Sequence, residues 1–116
     1  MMFEIEYYSK KNGEQPAETF IREQETKLRA KLFRHMELLE EHGKELREPY
    51  SSNLTDGIFE LRVIQGNNIA RVLYFFVIGK KIILTHGFVK KTRKTPQSEI
   101  ELAKKYRADY MKRKEG

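Results

Sequence analysis

Residues 2 to 8 alternate between apolar and polar positions, with Phe3, Ile5 and Tyr7 set against Glu4, Glu6 and Tyr8. That period of two predicts a half-buried first strand. Asn12 and Gly13 interrupt it, and Pro16 suits the first turn of a helix. Phe20, Ile21, Leu28, Leu32, Met36 and Leu39 then recur at helical spacing as far as the stop signal at Gly43. One unbroken helix from Pro16 to His42 would be about 40 Å long, more than the roughly 35 Å diameter of a compact domain of this size. Two helices divided near Thr26 are therefore expected.

Residues 44 to 57 collect Pro49, Ser51, Ser52, Asn53, Asp56 and Gly57 and read as a connection. Three β-branched and aromatic-rich runs follow, Ile58 to Ile64, Ile69 to Ile78 and Lys81 to Val89, separated by the hairpin signals Gly66-Asn67 and Gly79-Lys80. Thr95 as N-cap and Pro96 at the first helical position open a last helix, with Ile100, Ala103, Tyr106 and Tyr110 along one stripe. The end, Lys112-Arg113-Lys114, reads as a frayed tail. The resulting order, β-α-α-β-β-β-α, predicts an α+β fold: an N-terminal strand, two helices, an antiparallel three-strand meander and a C-terminal helix.

A length of 116 residues bounds the chain to one domain, expected over residues 1–116. Leu, Ile, Val and Phe together number 30, about a quarter of the chain, enough to build a packed core. The absence of cysteine removes disulfides and thiolate chemistry. His35, His42 and His86 lack a chelating spacing, so neither a metal nor another cofactor is expected. With no run of 18 apolar residues and no signal peptide at the N-terminus, a cytoplasmic protein with no membrane partner is expected.

Charge changes the picture more than composition does. Residues 1 to 60 carry nine basic and thirteen acidic side chains, whereas residues 61 to 116 carry fourteen basic and four acidic, within an overall charge of +6. An asymmetry of this kind points towards an anionic partner such as nucleic acid. A two-residue loop at Gly66-Asn67 sets Arg62 opposite Arg71, and a loop at Gly79-Lys80 sets His86 opposite Leu73. One sheet face is then predicted to carry Arg62, Arg71 and His86, with Lys90, Lys91, Arg93 and Lys94 emerging beside them. The other face would hold Phe59, Leu61, Val63, Val72, Tyr74, Phe76 and Ile83 for the helices to cover. Two opposed arginines repel, at a cost of roughly 0.2 to 1 kcal/mol that an anion between them would offset.

Guanidinium groups fit phosphate oxygens bidentately, and a lysine acts as a point charge. Cleavage of RNA through its 2′-hydroxyl needs a base, donors to the phosphorane oxygens and an acid, which one histidine with several cations supplies. Cations around His86 would lower its pKa. Among acids, Glu60 alone is placed on this face. Against the site stands a plainer reading, in which Arg62 pairs with Glu60, His86 is a satisfied sheet histidine and the lysines are solvated surface.

The segments Glu60-Leu61-Arg62, Arg71-Val-Leu-Tyr74, His86-Gly-Phe-Val-Lys-Lys91 and Lys94-Thr-Pro96, followed by Glu99-Ile100 and Ala103, resemble the HigB-type, phage-related branch of the RelE/ParE toxin superfamily. This resemblance covers nearly the whole chain and implies a RelE-like fold and a toxin of a type II toxin-antitoxin system. It implies a ribosome-dependent mRNA interferase, an endoribonuclease acting on mRNA in the ribosomal A site. Its partner would be a HigA-type helix-turn-helix antitoxin, through which alone operator DNA is contacted. Carried over residue by residue, Arg62, Arg71, His86 and Lys91 are the candidate catalytic residues, and Lys90, Arg93 and Lys94 the candidate RNA-binding residues. Some relatives use a C-terminal Tyr or His in catalysis, and Tyr106 and Tyr110 are the only equivalents here. A second reading is a ParE-like binding inhibitor of DNA gyrase that cuts no RNA. A third, a passive RNA-binding module, would need exposed aromatic platforms, for which only Tyr7 and Tyr8 offer themselves. Glu18, Glu23, Glu25, Glu37, Glu40 and Glu41 offer a possible antitoxin-docking face, or simply a solvated one.

Overall fold

The computed structural model describes residues 2–115. Strand β1 (Glu4–Tyr7) leads to helices α1 (Pro16–Arg22) and α2 (Thr26–His42), then to strands β2 (Ser51–Thr55), β3 (Ile58–Gln65), β4 (Asn68–Val77) and β5 (Lys81–Lys90), and finally to α3 (Gln97–Glu115). The five strands form one sheet in the order β1-β5-β4-β3-β2. Neighbours from β2 to β5 are antiparallel, whereas β1 lies parallel to β5, Glu4 beside Lys81.

The predicted architecture is observed, including the helix break: α2 starts at Thr26, with the Glu25 carboxylate capping Leu28 N–H at 2.9 Å. The meander has four strands, because the supposed connection contains β2. Ser51 and Ser52 pair with Leu61 and Glu60, and the Ser51 hydroxyl meets the buried Tyr74 hydroxyl at 2.5 Å. A polar, turn-rich segment becomes a strand here because an edge position needs only one paired side. The basic end is no frayed tail either, since Arg113 bonds Asp109 at 2.8 Å and the Ser9 carbonyl within a helix that runs to Glu115.

Alternation along the strands divides the molecule into two cores. Leu61, Val63, Val72 and Tyr74 face α1 and α2, packing with Ile21, Leu32 and Leu39. Ile58, Leu73, Phe75 and Ile83 face α3, packing with Ile100, Ala103 and Tyr110. Ile83 thus lies on the face opposite to the one expected. The reason is in β5, where Leu73 pairs with His86 but Tyr74 pairs with Leu84, leaving Thr85 as an extra residue that inverts the alternation. The turn before it spans Ile78 to Lys80, one residue longer than the hairpin signal suggested, and the two departures cancel at His86. Tyr8, proposed above as an exposed ring, is 3% exposed, stacked on Tyr106 with centroids 4.6 Å apart and donating to Asp109 at 2.5 Å.

Gly87 of β5 lies directly under the Phe20 ring of α1. A Cβ there would lie 2.3 Å from the Phe20 ring. Gly87→Ala should therefore overpack the interface and cost about 1 to 3 kcal/mol. Urea denaturation checks this: an unchanged midpoint would show that Phe20 simply moves aside.

Candidate functional site

The sheet places Arg62 directly opposite Arg71, as the hairpin arithmetic requires, and Glu60 two residues from Arg62 on the same face. The anion between the two arginines is the chain's own. Glu60 Oε1 lies 3.6 Å from Nε of each, and its carboxylate accepts the Thr95 hydroxyl proton. Thr95 Oγ1 in turn accepts from Arg71 Nη1 at 3.1 Å, while Arg71 Nη2 donates to the Thr92 carbonyl. Arg71 is wholly buried and Glu60 nearly so. Burial lowers the Arg71 pKa and Glu60 opposes that shift. The group is a buried clasp that ties the loop after β5 onto the sheet.

Thr95 was expected to cap α3. Its hydroxyl is instead committed to this clasp, and the first helical bond runs from Ile100 N–H to the Pro96 carbonyl at 3.3 Å, placing Pro96 one position earlier than predicted. Over the clasp, Lys90, Lys91, Arg93 and Lys94 are exposed and Arg62 is partly so, its Nη2 reaching towards the Arg93 carbonyl at 3.4 Å. Five cations thus rim one loop, with Glu60 and Arg71 buried beneath them.

His86 stands on the same face but is 5% exposed. Thr85 Oγ1 commits its proton to the Leu73 carbonyl at 2.9 Å, so His86 Nδ1, 3.1 Å away, must donate to that hydroxyl. Nε2 faces Glu99 Oε1 at 3.0 Å, a contact that becomes an ion pair when the imidazole is protonated. Burial holds the His86 pKa below its ordinary value and Glu99 pulls it back up; the cause of the lowering is burial rather than the neighbouring cations expected above. Tyr106 stands edge-on to the His86 ring at 5.8 Å, and Tyr110, 7% exposed, packs on Phe75, so both tyrosines serve packing.

A pH dependence follows. With its folded pKa lowered, His86 binds protons more readily in the unfolded state below the ordinary value of 6.5, so stability falls as pH drops through that value. The thermal midpoint should decline on acidification from about pH 7 to about pH 5, and less steeply in His86→Gln. Identical slopes for the two proteins would refute this assignment.

Arg62, Arg71 and His86 thus share one face, as the hairpin register predicts, and the residues that tie this face together lie outside the predicted set. Those residues are Thr92, Thr95 and Glu99. A signal existed for Glu99, an acid in the first turn of α3, where the helix dipole favours one. Its carboxylate also turns back onto the strand histidine.

Residues 19–108 match the family model described as Phage derived protein Gp49-like (DUF891), and the chain belongs to this family. The family is associated with RelE- and HigB-like toxins of toxin-antitoxin systems. A comparison with curated proteins finds no match. Among the described residues, no helix is long and apolar enough to cross a membrane.

Proposed function

We propose that this chain is the toxin of a type II toxin-antitoxin system, an mRNA interferase of the HigB type that acts on translated mRNA in the ribosomal A site. The observation that supports it best is the cationic rim of Arg62, Lys90, Lys91, Arg93 and Lys94 held over a buried clasp. A loop anchored in advance presents its cations to a phosphate with little backbone reorganisation, which favours stabilising charge that develops during phosphoryl transfer. In this reading Arg62 and Lys91 contact the scissile phosphate, and Lys90, Arg93 and Lys94 hold the flanking backbone. Arg71 acts as a positioning residue that fixes Thr92 and Thr95, and His86 takes part in proton transfer once the Glu99 carboxylate releases it.

The test is induction of the chain in a bacterial host, with growth followed and mRNA mapped by primer extension. Cuts that require translation support the interferase. Engagement of His86 by Glu99 favours a second reading, a gyrase-binding inhibitor that uses the same rim and moves no proton. DNA breaks with intact mRNA would select it. The chain's neutralising partner would be a HigA-type antitoxin, for which a short adjacent gene encoding a helix-turn-helix protein is the expected source.

A further inference from the structure

A groove of about 500 Å³ opens at the far end of the sheet from the cationic rim, between the β4–β5 turn and the last turns of α3. Its lining is apolar, including Phe76, Val77, Tyr110 and Met111. Ile78 stands beside it fully exposed and Met111 is 43% exposed. Large exposed apolar side chains gathered at one concave place mark an interaction surface rather than scattered surface residues. Neither Arg62 nor any residue of the loop after β5 lines this groove.

The charges around the groove define what it fits. Lys44 Nζ lies 5.5 Å from the centre of the Phe76 ring, and Lys114 Nζ lies 5.6 Å from that of Tyr110. Each cation is held against the apolar lining by its aromatic neighbour. Lys81 has Glu6 at 3.7 Å, but Lys44 and Lys114 have no carboxylate partner among the described residues. Glu6 accepts a hydrogen bond from the Tyr110 hydroxyl at one edge of the groove, yet Lys44 and Lys114 keep no ion-pair partner among the described residues. Apolar walls between two such cations complement a segment that offers apolar side chains flanked by Asp or Glu. A second copy presenting the same groove would set lysine against lysine. A membrane surface would need a protruding apolar face, whereas this one is concave.

We infer that the groove is the docking site for an acidic, amphipathic segment of the protein that neutralises this chain, so that the partner is held at the opposite end of the sheet from the rim. This rests on the toxin-antitoxin reading above. The intact chain is titrated calorimetrically with the purified product of the adjacent gene, and the same pair is co-expressed for growth. Ile78→Glu and Lys114→Glu each leave the rim untouched. Each should weaken binding by about tenfold or more, with growth arrest retained and neutralisation lost, whereas Lys114→Arg should bind as wild type.

Dissociation constants within twofold of wild type for both Glu variants would overturn the inference, as would a wild-type chain that fails to bind the neighbour. It would also be overturned if both variants lost binding to phosphatidylserine–phosphatidylcholine vesicles while keeping full affinity for the protein. A wild-type chain that binds the neighbour but leaves growth and mRNA unaffected would sink the toxin reading instead. The titrations would then still decide the groove.

Discussion

Arg71→Ala is expected to lose both growth arrest and about 3 kcal/mol of folding stability, the low end of the usual cost of breaking a buried ion pair. The low end applies because Arg62 remains 3.6 Å from Glu60 and still offsets its charge. Arg62 cannot restore the bonds from Arg71 to Thr92 and Thr95, so the loop after β5 loses its anchor. Loss of activity in this variant therefore says nothing by itself about contact with substrate. A double-mutant cycle separates the effects: Glu60→Gln combined with Arg71→Met should recover much of the stability without recovering arrest. Wild-type stability in Arg71→Ala alone, measured by chemical denaturation, would contradict the clasp.

Arg62→Ala should behave in the opposite way. Its side chain is 22% exposed and lies at the solvent side of Glu60, so the expected change in stability is within about 0.5 kcal/mol. Removal of one preorganised donor to developing charge costs about 10² to 10³ in rate, and cleavage of translated mRNA should fall by that factor. Quantified primer extension beside a thermal melt provides both readings. Cleavage at the wild-type rate would remove Arg62 from the site and leave the loop lysines to account for any activity.

The two arginines were indistinguishable in sequence. Both lie on β-strands, on one face and opposite each other, and the hairpin signal at Gly66-Asn67 suffices to establish that. Their difference arises from residues more than 20 positions away: the Thr92–Thr95 loop folds over Arg71 and leaves Arg62 at the rim. No local pattern encodes such a fold-back. Like charges set face to face did signal that an anion was required, and Glu60, two residues from Arg62, was in view as its ion-pair partner. The strand β2 was hidden for a different reason. Its Ser-Ser-Asn sequence carries the chemistry of turns, and only pairing with β3 on one side makes it extended. Thr85 was illegible as a bulge because its β-branched side chain fits a regular strand equally well. The helices, by contrast, were readable in outline because apolar spacing and the expected length of a compact domain act directly on the sequence.

The parallel pairing of Glu4 with Lys81 has a consequence for when the molecule becomes complete during synthesis. Strand β1 has no place in the sheet until β5 has emerged, so the growing chain holds it unpaired while α1, α2 and β2 to β4 are made. The clasp imposes the same delay on the rim, because Glu60 and Arg71 await Thr95. Pairings this distant in sequence form slowly, since the closure entropy of the intervening chain precedes their reward. A nascent chain therefore carries its positive charges without their final arrangement until Thr95 has emerged. That interval gives a partner already present in the cell time to meet the chain before its charged edge is assembled.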